Sequence, residues 1–305
     1  MPVSDAELAT LATSPDILSL GAHADAVRRE RHGARTTFVR VSTLASELGA
    51  PAEFPEATGE LRIVGPVASR RDAVARVAEV SARAGGVPVS AYSLADLEQL
   101  AATERITLRA LLEELRAAGL ELVAEAPVDR LGDPRRSIEE VNIAGLTLGR
   151  LTIDQLPAAA DVLPLLKQVA ALQYIVAVIR AFSPLPRRVN PAVPSTGYDD
   201  VRLVALARIA VSNIASIQVD WAMYGPKLAQ LALTVGADDV DNVSASDEAP
   251  EGRRRAPLEE IKRNIQAAGL TPVERNGRFD LSPPKAGRGQ DPDTSGRAAE
   301  QQAAG

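Results

Sequence analysis

The chain contains no cysteine among its 305 residues. That excludes disulfides, zinc–thiolate sites, thiol nucleophiles and any cysteine-ligated iron–sulfur cluster, and it fits a reducing compartment. Histidine is nearly as scarce. The two present, His23 and His32, sit in the N-terminal arm at no recognised metal-ligand spacing, so surface or capping roles are expected and no metal site is assigned. No G-x-S-x-G elbow offers a nucleophile, and no catalytic residue is assigned. G-x-x-x-x-G-K-[ST] is missing too, leaving Gly225-Pro226-Lys227 as a weak phosphate-loop signal. Aromatics make up only 3%, so the core must be built from Ala, Leu, Val and Ile.

Long hydrophobic runs are also lacking. The most apolar stretch, Val162 to Phe182, is broken by Lys167, Gln168, Gln173 and Arg180 and is too short between charges to span a bilayer. The acidic N-terminus lacks the apolar core of a secretory signal, and a cytoplasmic location is the expectation. A net charge of −6 argues against a nucleic-acid surface, which needs clustered cations to displace phosphate counterions. The basic run Arg253-Arg254-Arg255 reads as a solvated connector. Neither nucleic acid nor a membrane is an expected partner.

What remains is an apolar fraction of 46%, enough for a sizeable core, arranged in alternating strand-like and helix-like segments. Strands are predicted at Thr36–Val41, Leu61–Val64, Val87–Ala91, Leu120–Ala124, Leu151–Ile153, Tyr174–Ile179, Ser216–Met223 and Asp239–Val243. Helices are predicted after Ser69, over Leu94–Ala101, from Thr107 to Gly119, around Ile138–Leu148 and over Val162–Leu172. Others follow over Tyr198–Ser212, Lys227–Val235 and Pro257–Gly269, while Pro184, Pro186, Pro191 and Pro194 mark an irregular loop. Repeated strand–helix units build a parallel sheet, and about eight of them make a closed barrel. The fold class is therefore α/β, a (β/α) TIM-type barrel irregular at the first strand–helix connection. The domain reading is a helical arm over residues 1–35, a barrel with closing helix over 36–280, and a disordered tail over 281–305.

Barrel sites sit at the C-terminal ends of the strands. The predicted ends carry a polar ring of Arg40, Gly65, Tyr92, Glu125, Asp154, Gln155, Arg180, Asp220, Trp221, Asp241 and Asn242. From it, Asp154, Arg180, Asp220, Trp221, Asp241 and Asn242, with Tyr224, form the candidate ligand-binding set. The same residues suit solvated strand ends or salt-bridge partners equally well. The carboxylates of Asp238-Asp239-Asp241 could serve acid–base work or a hard cation, but an exposed turn before the last strand is favoured.

Particular strings say more. Thr196-Gly197-Tyr198-Asp199-Asp200-Val201-Arg202, Ile217-Gln218-Val219-Asp220-Trp221-Ala222-Met223-Tyr224, Gly225-Pro226-Lys227-Leu228 and Gly236-Ala237-Asp238-Asp239-Val240-Asp241 resemble the C-terminal part of certain radical S-adenosylmethionine enzymes. The group contains aminofutalosine synthase and dehypoxanthine futalosine cyclase of menaquinone biosynthesis and the related enzyme of deazaflavin synthesis. Leu18-Ser19-Leu20-Gly21 through His32-Gly33 is similar to the same enzymes. The resemblance implies a (β/α) barrel. Those enzymes hold a [4Fe–4S] cluster on C-x₃-C-x₂-C after the first strand. Here that stretch is Val41-Ser42-Thr43-Leu44-Ala45-Ser46-Glu47-Leu48, without a thiol, and a serine hydroxyl lacks thiolate softness. Gly65-Pro66-Val67 and Asp154-Gln155-Leu156 depart from the family wording as well.

No cofactor is therefore expected, neither a cluster nor S-adenosylmethionine. The resemblance implies a non-catalytic pseudoenzyme of the futalosine route, a partner or ligand-binding subunit in a hetero-oligomer with a cluster-bearing paralogue. The alternative is a cluster-independent enzyme acting on a nucleoside-like or anionic small molecule through Asp154, Asp220 and Asp241, with Arg180 as an anion clamp.

Overall fold

The computed structural model describes residues 3–49, 53–188, 196–249 and 255–281. Two helices, α1 (Asp5–Thr13) and α2 (Ile17–His32), form the arm. The barrel follows with β1 (Arg35–Ala45), β2 (Glu60–Val64), α3 (Arg70–Ser81), β3 (Val89–Ser93), α4 (Leu94–Thr103), α5 (Leu108–Ala117) and β4 (Leu122–Pro127). Next come α6 (Pro134–Ile143), β5 (Thr147–Leu148), β6 (Leu151–Ile153), α7 (Val162–Val176), β7 (Ala181–Pro186) and α8 (Gly197–Ala210). The last elements among the described residues are β8 (Ser216–Asp220), α9 (Trp221–Thr234), β9 (Asp239–Ser244), α10 (Pro257–Ala267) and β10 (Thr271–Arg275).

The sheet order is β1-β2-β3-β4-β6-β7-β8-β9, all parallel, and β9 pairs back onto β1. The barrel is closed, with eight strands in the ring. The first connection, 46–59, carries no helix among its described residues, as its sequence predicts. No helix among the described residues is long and apolar enough to cross a membrane.

Local chemistry sets the helix starts. Ser69 accepts the Asp72 N–H at 3.1 Å, and Thr196 and Asp199 complete a reciprocal capping box. Asp133 caps α6, with Pro134 in the first turn. Asp220 ends β8 and accepts the Met223 N–H at 3.0 Å, so Trp221–Met223 open a helix rather than extend the strand. Gly225, at φ 73°, kinks that helix after its first turn.

Several predicted elements move. Tyr174–Ile179 is not a strand: α7 continues to Val176, with Leu166, Val169 and Leu172 buried at helical spacing, and Ala177 ends it at φ 53°. The strand lies later, over Ala181–Pro186, where prolines suggested a loop. Its hydrogen-bonded pairing with β8 stops at Phe182, so Pro184 and Pro186 forfeit no N–H that β8 requires. The predicted Ile138–Leu148 helix begins earlier, at Pro134, and ends before Gly145, leaving β5. Pro191, Pro194, Arg253, Arg254 and the predicted tail from residue 282 lie outside the described residues.

β10 has no counterpart in the sequence prediction. It pairs parallel with the first half of β1, and the Gly277 N–H donates to the Gly59 carbonyl at 3.0 Å, covering the lower end of the barrel. Arg275 anchors it. Its guanidinium donates to both oxygens of Asp239, at 2.7 and 2.6 Å, and lies 3.9 Å from the Phe279 ring centre. Both partners of this ion pair are buried. Arg275→Met strands the Asp239 charge and is expected to destabilise the fold by about 3–5 kcal/mol, read as a lowered urea midpoint.

Candidate functional site

The barrel lumen holds an arginine–carboxylate ladder. At its lower end Glu60 accepts from Ser90 Oγ at 2.5 Å and from Arg62 Nε at 2.8 Å. Arg62 turns its other two nitrogens to Asp241, both at 2.8 Å. Arg150 meets the same Asp241 carboxylate at 2.7 Å and lies 3.4 Å from Glu125. Arg187 then links Glu125, at 3.1 Å, to Asp220, at 2.8 Å, and Asn242 donates to Asp220 at 3.2 Å. The chain of contacts joins β2, β3, β4, β8 and β9 through Arg150, just before β6, and Arg187, just after β7.

Ionisation follows from this geometry. Burial opposes the charge on Asp241, but Arg150 and Arg62 outweigh it and hold the carboxyl far below its ordinary value of 3.8. Burial likewise opposes the charge on Glu60, and Arg62 again prevails, holding it below 4.5. Arg150 is pushed below the ordinary guanidinium value, first by burial and then by the neighbouring Arg62. Burial raises the Tyr224 phenol, whose hydroxyl donates to the Pro186 carbonyl at 2.5 Å.

Four of the seven candidate residues belong to one upper assembly: Asp220, Asn242 and Asp241 in the ladder and Tyr224 on the adjoining β7 end. Trp221 is buried beside them and, with Phe54, Ser42, Thr43 and Asn242, lines a mouth cavity of about 540 Å³. Asp154 is separate. It ends β6 at the rim, with its carboxylate on Arg188 and its N–H on Asp129. Arg180 is misplaced in the sequence reading: it precedes β7, at the opposite end of the barrel, and donates to the Arg278 carbonyl at 2.7 Å. The error follows from placing the strand at 174–179, and it removes Arg180 as an anion clamp at the mouth.

The Asp238-Asp239-Asp241 run is no exposed turn either. All three are buried, and each meets a guanidinium: Asp238 that of Arg208, Asp239 that of Arg275, Asp241 those of Arg62 and Arg150. His32 Nε2 lies 3.0 Å from the Ala215 carbonyl, a packing role for the arm. Sequence reasoning missed Arg62, Arg150 and Arg187. The available signal was Arg62 itself, a charge inside the apolar strand Leu61–Val64.

The β1 exit does not fit a [4Fe–4S] cluster. Its donors are the Ser46 hydroxyl and the Glu47 carboxylate, and the loop is tied to α3. The Ala45 carbonyl accepts Arg76 Nε at 2.9 Å, and the Gly49 N–H donates to Glu79 at 3.1 Å.

The closed eight-stranded ring with its intervening helices is a (β/α)₈ barrel. Solved structures of methylornithine synthase (TM-score 0.64, 14% identity, 89% of this chain and 94% of that one) and the [FeFe]-hydrogenase maturase HydG (0.60, 13%, 87% and 71%) share it. Residues 172–286 match the family described as the CofH/MqnC C-terminal region. The aminodeoxyfutalosine synthase of Thermus thermophilus is 28% identical over 227 residues, 64% of this chain and 60% of its own length. The 5-amino-6-(D-ribitylamino)uracil–L-tyrosine 4-hydroxyphenyl transferase of Archaeoglobus fulgidus is 38% identical over 94 residues, 28% of this chain and 27% of its own. The cyclic dehypoxanthine futalosine synthase of Streptomyces coelicolor is 22% identical over 216 residues, 63% and 54%. The chain is similar to these enzymes but carries no cysteine, and the matched stretches span from about a quarter to three fifths of their lengths.

Two outcomes test the ladder. Asp241→Asn leaves Arg62 and Arg150 short of their shared counter-charge, and a loss of about 3–5 kcal/mol in chemical denaturation is expected. The second concerns pH. Asp241 and Glu60 have folded-state values depressed below 3.8 and 4.5, so the unfolded chain binds their protons more readily. Their stabilisation is complete above those ordinary values and drains away as pH falls below them. Thermal melts between neutral pH and pH about 3 should show a decline confined to the acid end, shallower in Asp241→Asn.

Proposed function

We propose that this chain is a non-catalytic member of the futalosine-pathway enzyme group, serving as a partner or ligand-binding subunit of a cluster-bearing relative. The observation that carries the reading is the ladder. A lumen whose arginines and carboxylates neutralise one another is a self-supporting core, independent of any cluster. The β1 exit supports the same reading, because it supplies oxygen donors where the related chemistry needs three thiolates. The cluster-independent enzyme alternative is less well supported. Asp154, Asp220 and Asp241 are each already engaged by an arginine, and Asp241, held ionised by Arg150 and Arg62, is a poor proton acceptor.

The mouth cavity supplies the ligand-binding arm of the proposal. It combines Trp221 and Phe54 with the polar side chains of Ser42, Thr43 and Asn242, a lining suited to a flat polar molecule. The test is affinity purification from the native host, with mass spectrometry of proteins and small molecules. Recovery of a cysteine-bearing futalosine-pathway relative in fixed ratio, or of a retained nucleoside, is expected. A chain recovered alone and empty would sink the proposal.

A further inference from the structure

The barrel wall is unevenly built. Between β7 and β8 only Ala181 with Ser216 and Phe182 with Ile217 are paired, and the ladder stops there. Above that point Pro184 and Pro186 have no N–H to offer β8. On the other flank β7 stays attached to β6, since the Arg187 and Arg188 N–H groups donate to the Ile153 and Asp154 carbonyls, both at 2.9 Å. The upper β7–β8 seam is therefore closed by side chains. Ser183 Oγ donates to Gln218 Oε1 at 3.0 Å, Arg187 Nη1 to Asp220 at 2.8 Å, and the Tyr224 hydroxyl to the Pro186 carbonyl at 2.5 Å.

Polar groups without partners lie on the β6 side of β7. Thr152, the register neighbour of Ser183, is fully buried, and its hydroxyl has no hydrogen-bond partner. Two residues earlier on the same segment, Arg150 Nε is unpartnered and buried. Leaving such groups unsatisfied is costly, and a guest with an oxygen acceptor would satisfy them.

We propose that the upper β7–β8 seam is a lateral doorway into the lumen, latched by Arg187, through which a small polar guest bearing an oxygen acceptor reaches Thr152 and Arg150. The chemistry suits that role. A latch of side-chain contacts opens by rotamer change, whereas a continuous backbone ladder opens only by local unfolding. Arg187 is itself partly exposed, with 20% of its side chain accessible, at the outer end of the ladder. The guest's identity rests on the ligand-binding reading above; the doorway does not.

The absence of native cysteine makes a clean measurement available. A single cysteine is introduced on the β6 side of β7, Thr152→Cys, or far from the seam on β3, Ser90→Cys, another buried lumen position. Each is labelled with iodoacetamide, a small polar probe, in native buffer without ligand. The cysteine at position 152 should react faster than that at 90. Adding Arg187→Met should accelerate position 152 alone by about ten-fold or more, the effect of losing a charge-assisted hydrogen bond. Tyr224→Phe, which removes one hydroxyl, gives the same comparison with less risk to folding. Equal labelling at both positions, or equal acceleration of both, overturns the proposal, as does a cysteine at 152 indifferent to both latch variants. Because no ligand is present, a protein that retains no small molecule on purification leaves this result standing on its own.

Discussion

Everything in the lumen depends on Asp241, one carboxylate shared by Arg62 and Arg150. Three buried charges in contact are tolerable only if each keeps its partners, because desolvating an uncompensated ion costs several kcal/mol. The triad therefore fixes more than its own geometry. It ties β2, β9 and the segment leading into β6 into one register across the barrel, and it prescribes where Glu60 and Glu125 must stand. Such an arrangement adds little net stability compared with an apolar core of equal volume. What it does is penalise any alternative packing that would strand a charge.

Around that centre the barrel is asymmetric. The lower end is sealed by β10 and by Arg275 on Asp239, and the ring between β1 and β4 is continuous backbone pairing. Between β7 and β8 the wall relies on side chains. The rigid part of the barrel positions the charges, and the laced part is where the structure can yield. This matches the general pattern in which a scaffold carries its adaptable elements at the C-terminal face of the strands. The β1 exit, bound to α3 through Arg76 and Glu79, belongs to the rigid part.

Much of the fold was legible in the sequence, because strand–helix alternation and capping are local signals. Ser69, Thr107 and Thr196 each begin a helix as their side chains predict. Legibility failed where tertiary context overruled local preference. Tyr174-Ile175-Val176 has the composition of a strand, yet it ends a helix whose buried face, Leu166, Val169 and Leu172, is set by packing. Ala181–Pro186 has the composition of a loop, yet it completes the ring because its missing donors face a seam that needs none. That single displacement carried Arg180 from the predicted mouth to the opposite end. At the site, Asp220, Trp221, Asp241 and Asn242 were legible as strand ends. Their guanidinium partners were not, since pairing between residues 33 to 179 positions apart, as in Arg187 with Asp220 and Arg62 with Asp241, leaves no local trace.

The sequence by itself determined the class of fold, its likeness to known enzymes and the exclusion of cysteine ligation by this chain. These follow from periodicity, motif wording and the elements present, none of which needs a third dimension. Only the tertiary structure decided that the acidic run 238–241 is buried, that each of its carboxylates meets an arginine, and that β10 closes the lower end. Burial and charge pairing are properties of the closed barrel. Closure brings β9 back against β1, and no stretch of chain read by itself records which side chains then face each other across the lumen.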